Sequence, residues 1–342
     1  MKKFIFSIVA MAALASCAKE ETISRTENAP IAFETPFVEN ATRATDVNKD
    51  NLNKFGVYAS VENAAEQTAL ILNNELITRN GNAYGYTNTQ YWVPGNKYYF
   101  TAFAPMKANN TNAEWVFVPT NGTAHNGTLT FNNAAAEGDV DLVYAYNKNE
   151  DVVAGVQYTV PFTFDHLLSK VAFKFTNAFA AANNITFEVK DVKITDAVSK
   201  ADVAVATGVV GDWVKSDVTP VTFERAFAFG GNAGSTVIAA GANKVSDHHY
   251  IIPVTPAHEH TITFNVDVYQ AGVLVANYSH SVQTAYPFAK GGNYCLSTVL
   301  NSNNINPAQQ LNTIEFTVSE VNGWTPNGTT DTVIKEPATG NN

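Results

Sequence analysis

Two histidines separated by one residue are the strongest candidates for chemistry in this sequence. His258 and His260 flank Glu259. Residues two apart in a strand point to the same side, so both imidazoles could bind one metal ion. They follow directly on residues 254–257, however, where a hairpin connection is expected, and no third ligand is apparent. The sequence therefore favours a solvated turn at this position and no metal site.

Other candidates for an active or ligand-binding site are weaker. Residues 46–50 resemble the start of a calcium loop. Asn51, however, stands where that loop needs glycine, and Val57 stands where it needs a bidentate glutamate. The glycine-rich run 230–235 opens no helix and so lacks the amide cradle of a phosphate site. The sequence predicts no catalytic residue, no cofactor and no enzymatic activity.

The N-terminus indicates a different chemistry, the attachment of lipid. Two lysines precede an apolar run, residues 4–15, that is too short to cross the roughly 30 Å hydrocarbon core of a bilayer and is typical of a secretory signal. The run ends in Leu14-Ala15-Ser16-Cys17, which resembles the bacterial lipobox. Residues 19–21 resemble the export signal of surface lipoproteins in Bacteroidetes. We therefore expect residues 1–16 to be a signal peptide and Cys17 to carry lipid.

The composition excludes several classes of protein. The chain has 342 residues, enough for about two domains, and 45% of them are hydrophobic. Its formal net charge is −10, which argues against a nucleic-acid partner because binding to phosphates needs a basic surface. With only two cysteines it is not a disulfide-stapled miniprotein. No segment after the N-terminus has the ~18 uninterrupted apolar residues of a membrane-spanning helix.

Most of the chain is patterned as β-strands. Apolar and polar residues alternate over residues 170–176, 261–268 and 314–319, a period of two that is typical of strands with one buried face. Similar runs are separated by turn clusters such as Asn121-Gly122. Only residues 61–72 look helical. Many short strands at regular spacing predict an all-β protein built from β-sandwiches.

The polarity of the chain indicates where its domains divide. Residues 147–153 are polar and charged, and a new strand pattern begins at residue 162. We therefore predict an N-terminal sandwich at residues 44–160 and a C-terminal sandwich at residues 161–328. A polar tail follows at residues 329–342.

An ordered set of stretches extends along nearly the whole chain. The set comprises the lipobox at Cys17, Asn40-Ala41-Thr42-Arg43-Ala44-Thr45, Tyr91-Trp92-Val93-Pro94 leading into Tyr98-Tyr99-Phe100-Thr101-Ala102-Phe103-Ala104-Pro105, Phe164-Asp165-His166-Leu167-Leu168-Ser169-Lys170-Val171-Ala172-Phe173 and Val318-Ser319-Glu320-Val321-Asn322-Gly323-Trp324. In this order the stretches resemble the fimbrillin-like family of the Bacteroidales, the subunits of type V pili.

The resemblance implies a fold and a route of maturation. It implies two transthyretin-like Greek-key β-sandwich domains in tandem, export as a lipoprotein, and trimming after an arginine by an Arg-specific protease. In this sequence we expect the cut between Arg43 and Ala44, within a polar stretch where proteases act. It would detach the lipidated segment 17–43 together with a removable first strand. The apolar residues of that strand are Ile31, Phe33, Phe37 and Val38.

The resemblance further implies assembly by strand exchange. Removal of the first strand would open an apolar groove with unpaired backbone groups, which a strand from another subunit can fill. The expected donor is Thr332-Val333-Ile334, the only extended run with apolar residues after Trp324. A disordered tail is the alternative, because the tail is rich in Asn, Thr, Gly and Pro. Stalk, anchor and tip positions in the fibre all stay open.

Two other functions compete with that of a pilus subunit. A surface glycan-binding lipoprotein would present exposed aromatic residues such as Tyr91, Trp92 and Trp115. A secreted hydrolase would need an acid pair in a cleft. The favoured interpretation is a cell-surface pilus subunit, held first in the outer membrane by its lipid and later part of the fimbrium. Its partners would be other pilin subunits, and its receptor, a host protein or a glycan, is left open.

Overall fold

The computed structural model consists of strands joined by short turns. It describes residues 29–38, 46–48, 50–106, 114–135, 139–216, 222–229, 235–309, 312–320 and 332–335. The predicted all-β class is confirmed. Within these residues the helical segments are two single 3-10 turns, Asn133–Ala135 and Ala181–Asn183. No helix among them is long and apolar enough to cross a membrane.

The first half of the chain supplies strands β1 to β11. Their bounds are β1 Ala32–Phe33, β2 Phe37–Val38, β3 Lys54–Glu62, β4 Thr68–Asn80, β5 Ala83–Gly85, β6 Lys97–Ala104, β7 Trp115–Thr120, β8 Thr123–Asn132, β9 Val143–Asn149, β10 Thr159–Val160 and β11 Thr163–His166.

The second half supplies strands β12 to β25. Their bounds are β12 Ser169–Asn177, β13 Ile185–Val198, β14 Lys200–Ala206, β15 Val209–Val210, β16 Val214–Lys215, β17 Thr222–Phe227, β18 Ser235–Ile238, β19 Asn243–Val245, β20 His249–Ile251, β21 His260–Gln270, β22 Val273–Thr284, β23 Asn293–Leu300, β24 Glu315–Glu320 and β25 Thr332–Lys335.

The largest sheet closes on itself. It has nine strands in the order β10-β1-β5-β4-β3-β6-β9-β11-β2. β1 and β2 belong to one chain segment, residues 29–38, and β10 and β11 belong to another, residues 159–166. These two segments run side by side, because β1 pairs in parallel with β10 and β2 pairs in parallel with β11. Since β5 flanks β1 and β9 flanks β11 on their other sides, the two ends of the sheet meet.

Both faces of this closed sheet are covered. One face forms a core of its own, in which Phe55, Phe100 and Phe164 are fully buried. The other face packs on a second sheet of order β15-β14-β8-β7, with β16 added to β14. That second core contains Phe103 and Trp213. Alternate residues of one strand thus serve two cores, as the period of two requires.

The second half of the chain forms a sandwich of two further sheets. One has the order β17-β13-β21-β22 with β18 on β13, and the other has the order β19-β12-β23-β24-β25 with β20 on β12. Phe173 and Phe175 of β12 meet Phe264 of β21 and Phe316 of β24 in their shared core. The alternation predicted for these strands is therefore present in β21 as buried and half-buried residues, whereas β12 is buried on both faces over its first five residues.

Backbone pairing continues across the predicted boundary between residues 160 and 161, and the boundary itself stays a prediction. β11, which begins beyond it, pairs with β9. β14 pairs antiparallel with β8 from Lys200 opposite Asn132 to Val205 opposite Gly127. Strands of the second half thus complete a sheet of the first half.

The helix expected at residues 61–72 is wrong. β3 continues to Glu62 and β4 begins at Thr68, and these two residues pair. The Asn63 side-chain oxygen accepts hydrogen bonds from the backbone N–H groups of Ala65 and Gln67, both at 3.0 Å. This local bonding reverses the chain, so a hairpin replaces the helix.

Candidate functional site

The N-terminal segment, residues 29–38, occupies a strand position in the closed sheet. Ile31 and Phe33 are 2% and 6% exposed, and Val38 is buried too. Phe37 differs from the expectation, since it is 56% exposed. Adjacent residues of a strand point to opposite faces, and Val38 takes the inward position here.

Phe33 is the central apolar contact of this segment. Its ring stacks on Phe162 with centroids 5.8 Å apart, and it meets Phe55 and Phe100 edge-on at 6.3 Å. Full burial of such a side chain contributes about 1.5–3 kcal/mol. Removal of the segment would therefore expose a deep apolar groove between β5 and β10.

Backbone hydrogen bonds attach the same segment on both of its edges. The Ile31 N–H donates to the Gln90 carbonyl at 2.8 Å, and the Phe37 N–H donates to the Phe162 carbonyl at 2.9 Å. The Tyr86 hydroxyl donates to the Ile31 carbonyl at 3.0 Å. Loss of the segment would leave unpaired strand edges beside the apolar groove, the arrangement to which another strand adds most readily.

Two of the predicted sites lie outside the described residues. These are the lipidation site at Cys17 and the cleavage site at Arg43 and Ala44. In sequence, the predicted cut falls between Val38, the last residue of β2, and Asp46, where the described chain resumes.

A buried ion pair holds the chain just after the predicted cut. The carboxylate of Asp46 pairs with the ammonium group of Lys170 on β12, and the two residues are 0% and 1% exposed. The same carboxylate accepts a hydrogen bond from the Tyr250 hydroxyl of β20 at 2.7 Å. The chain at Asp46 is thus bonded to β12 and β20, two strands of the second half.

A second buried pair lies beside the first. The Asp141 carboxylate accepts a hydrogen bond from the Val47 N–H at 2.8 Å and lies 2.8 Å from Nδ1 of His166. We call the whole set the junction cluster; its members are Asp46, Val47, Asp141, His166, Lys170 and Tyr250.

The two carboxylates of the junction cluster have opposite pKa shifts. Burial alone would raise the pKa of Asp46, but hydrogen bonds from Lys170 and Tyr250 and the lysine charge outweigh it, so this pKa lies below its usual value. Burial raises the pKa of Asp141, and His166 and the Val47 N–H offset this only in part. Buried charges are tolerated only when they are paired in this way.

Two of the three aromatic residues proposed for glycan binding are buried. Trp92 and Trp115 are each 2% exposed. Their indole N–H groups donate to the backbone carbonyls of Tyr158 at 3.1 Å and Pro105 at 2.9 Å. Tyr91 is 49% exposed. The aromatic platform expected for a glycan-binding protein is therefore not formed by these three residues, because both tryptophans belong to the cores.

The predicted donor residues Thr332, Val333 and Ile334 form β25 with Lys335. This strand pairs antiparallel with β24 of the same chain, with Ile334 opposite Phe316. Among the described strands it is the last in its sheet.

The two histidines of the metal candidate lie close to a third potential ligand. His260 is the first residue of β21 and is only 3% exposed, so the expected solvated turn is wrong for this residue. Asp196 of β13 joins His258 and His260, and the potential ligand atoms of the three residues lie within 4.8 Å of one another. Sequence reasoning missed Asp196, since only the pairing of β13 with β21 brings it near.

Comparison with protein families gives one match that covers most of the chain. A family model described as fimbrillin-like matches residues 42–324. No curated protein matches the sequence.

Solved structures match the chain at low sequence identity. A fimbrial protein from Bacteroides vulgatus is 18% identical with a TM-score of 0.61, and the match covers 87% of this chain and all of that one. A candidate cell adhesion protein from Bacteroides ovatus is 14% identical with a TM-score of 0.47, covering 88% of this chain and 99% of that one. The first likeness confirms the predicted sandwich fold.

Proposed function

The chain belongs to the fimbrillin-like family, and on this premise we propose that it is a structural or adhesive subunit of a type V cell-surface pilus. The precursor is exported as an outer-membrane lipoprotein, an arginine-specific protease cuts it after Arg43, and subunits join by strand exchange. Other pilin subunits are its partners. We assign it no enzymatic activity, and its receptor would be a host protein or a glycan.

The position of residues 29–38 in the closed sheet is the observation that carries this proposal. The segment contributes β1 and β2 with their own apolar contacts, and it lies N-terminal to the predicted cut. After a cut at Arg43 only non-covalent contacts would hold it. Its departure would open the sheet along one strand position and leave the rest of the sheet paired.

The junction cluster supports a cut at Arg43 that leaves the body of the protein intact. Asp46 and Val47 are bonded to Lys170, Tyr250 and Asp141. The new N-terminus would therefore stay attached to both sandwiches while the preceding strand leaves.

We propose that β25 is the donor. It is four residues long and comes from near the end of the chain, so its separation from β24 breaks few hydrogen bonds. In the fibre it would enter the groove between β5 and β10 of the neighbouring subunit, where backbone pairing gives affinity and alternate side chains fill the groove.

Replacement of Cys17 with Ala should abolish incorporation of labelled palmitate. The thiol of the lipobox cysteine is the group that receives the lipid, and several acyl chains anchor a protein at about 0.8 kcal/mol per buried methylene. Metabolic labelling followed by immunoprecipitation measures the palmitate bound to the protein. A Cys295→Ala variant, which removes the other cysteine, should label like the wild type. Continued labelling of the Cys17→Ala variant would refute the assignment of Cys17 as the lipidated residue.

Replacement of Arg43 with Ala should block maturation. N-terminal sequencing of fibre-associated wild-type protein should begin Ala44-Thr45-Asp46, since the cut follows Arg43. An Arg25→Ala variant is the matched control, because it removes the other arginine of the same segment and should be processed normally. If polymerised protein still began at an intact Cys17, a non-polymerising anchor or a binding protein would be favoured instead.

A further inference from the structure

The cluster of Asp196, His258 and His260 has the donor set of a metal site and plays no part in the proposed pilus assembly. Two imidazole nitrogens and one carboxylate oxygen are the ligands that Zn²⁺ commonly takes, with water in a fourth position. The three residues come from β13, from the loop before β21 and from the start of β21. Asp196 and His258 are half-buried and His260 is buried, so the cluster is reached from the surface on one side.

His260 presents a nitrogen that has no other partner. Its Nδ1 is buried without a hydrogen bond and lies 3.9 Å from Oδ1 of Asp196. A buried polar atom left unbonded costs about 1–3 kcal/mol, which coordination to a metal ion would remove.

The other two ligands are already oriented by hydrogen bonds. Nε2 of His258 lies 2.9 Å from the main-chain carbonyl oxygen of Asp196, so its N–H donates there and Nδ1 keeps its lone pair. Thr261 donates its backbone N–H and its hydroxyl to the two carboxylate oxygens of Asp196 at 2.7 and 2.9 Å. Outer bonds of this kind hold the ligands of metal sites in the correct tautomer and direction.

The ammonium group of Lys215 already lies beside the proposed metal position. The ammonium nitrogen of Lys215, on β16, lies 3.4 Å from Nδ1 of His258. A divalent ion would have to displace that ammonium group, which the rotatable side chain of the half-buried Lys215 allows. Tetrahedral Zn²⁺ places its ligand atoms about 3.4 Å apart, so the 3.9 Å gap between Asp196 and His260 must close by about half an ångström. Because all the ligand atoms lie within 4.8 Å of one another, no pair must close by more than about 1.4 Å, which side-chain rotations allow.

We propose that Asp196, His258 and His260 bind one divalent transition-metal ion of the Zn²⁺ type, through Nδ1 of each histidine and one carboxylate oxygen. The ion fastens the loop at residues 255–259 to β13, at a place where β16 of the neighbouring sheet also approaches. The site is independent of the cut at Arg43 and of the donor strand.

Titration of the purified, untagged protein with Zn²⁺ in a calorimeter tests the proposal. We expect one equivalent to bind, with a rise in the thermal midpoint because the ion binds only the folded state. Co²⁺ in place of Zn²⁺ should give the visible absorption of a low-symmetry four-coordinate site.

The variants separate this site from adventitious binding. His258→Gln and Asp196→Asn should each weaken binding by at least about tenfold, whereas His248→Ala, a histidine outside the cluster, should not. Lys215→Met should strengthen binding about tenfold, since it removes the competing charge. The proposal is overturned if the wild type takes up no Zn²⁺, or if the His258 and Asp196 variants bind it as tightly as the wild type.

Discussion

Protein cut after Arg43 should form oligomers, whereas cut protein that lacks residues 329–342 should remain monomeric. The cut frees the segment that carries Ile31 and Phe33, and their departure exposes an apolar groove with unpaired edges on β5 and β10. Without β25 no subunit can offer its neighbour a strand for that groove. Light scattering on both forms, at equal concentration, measures the difference.

Two further variants make this result specific. A chain that ends at Lys335 keeps β25 and loses only the residues beyond it, so after the cut it should polymerise like the full chain. An uncut Arg43→Ala variant keeps its own first strand and should stay monomeric although its tail is complete. Equal polymerisation of the form that lacks residues 329–342 would remove the tail from the mechanism.

Replacement of Lys170 with Met should destabilise the protein by about 3–5 kcal/mol. The lysine pairs with Asp46 out of contact with water, and removal of one partner leaves the other charge buried and unpaired. Urea denaturation at pH 7 measures the free energy of unfolding. Lys193→Met is the matched control: Lys193 pairs with Glu224 in the same half of the chain, and both side chains are partly exposed, at 32% and 52%, so the denaturation midpoint should hardly move. Equal effects of the two substitutions would contradict a special role for the buried pair.

The acid dependence of stability should change in the same variant. Because the pKa of Asp46 in the folded protein lies below its usual value of 3.8, the unfolded chain takes up a proton at pH values where the folded protein does not. The stabilisation from this group is therefore complete above about pH 3.8 and is lost as the pH falls through the folded pKa. In the Lys170→Met variant the contribution of Asp46 should change sign, because without the lysine burial raises the pKa of this carboxyl, while Asp141 titrates in both proteins. The free energy of unfolding is measured against pH for the wild type and the variant. If the two curves ran parallel between about pH 5 and about pH 2, Asp46 would not be the group responsible.

Strands were predictable from the sequence where large apolar residues recur at every second position. The alternation of Val171, Phe173 and Phe175 with polar or small residues gives β12, and Phe264 and Phe316 mark β21 and β24 in the same way. Such a pattern is local, because residues two apart in a strand share a face whatever the strand pairs with. The order of the quoted stretches was likewise sufficient to indicate the family that the comparison found.

The sequence also carried local signals that the tertiary structure overrode. Residues 61–72 contain good helix formers, yet β3 and β4 continue on either side of a turn at Asn63. Pairing along two strands outweighs a weak local preference for helix. Trp92 and Trp115 looked available to a ligand, and only their place in the cores shows that they are not.

The functional geometry depended on contacts between distant parts of the chain. Asp46 meets Lys170 across 124 positions, and His258 reaches Asp196 across 62. The removable strand closes its sheet by pairing with residues 159–166, and β14 joins a sheet of the other half. The sequence alone therefore determined the strands, the fold class and the expected maturation route. Only the tertiary structure decided which strands pair and which polar side chains meet, because pairing depends on the fit of complete sheets and not on the residues of one strand.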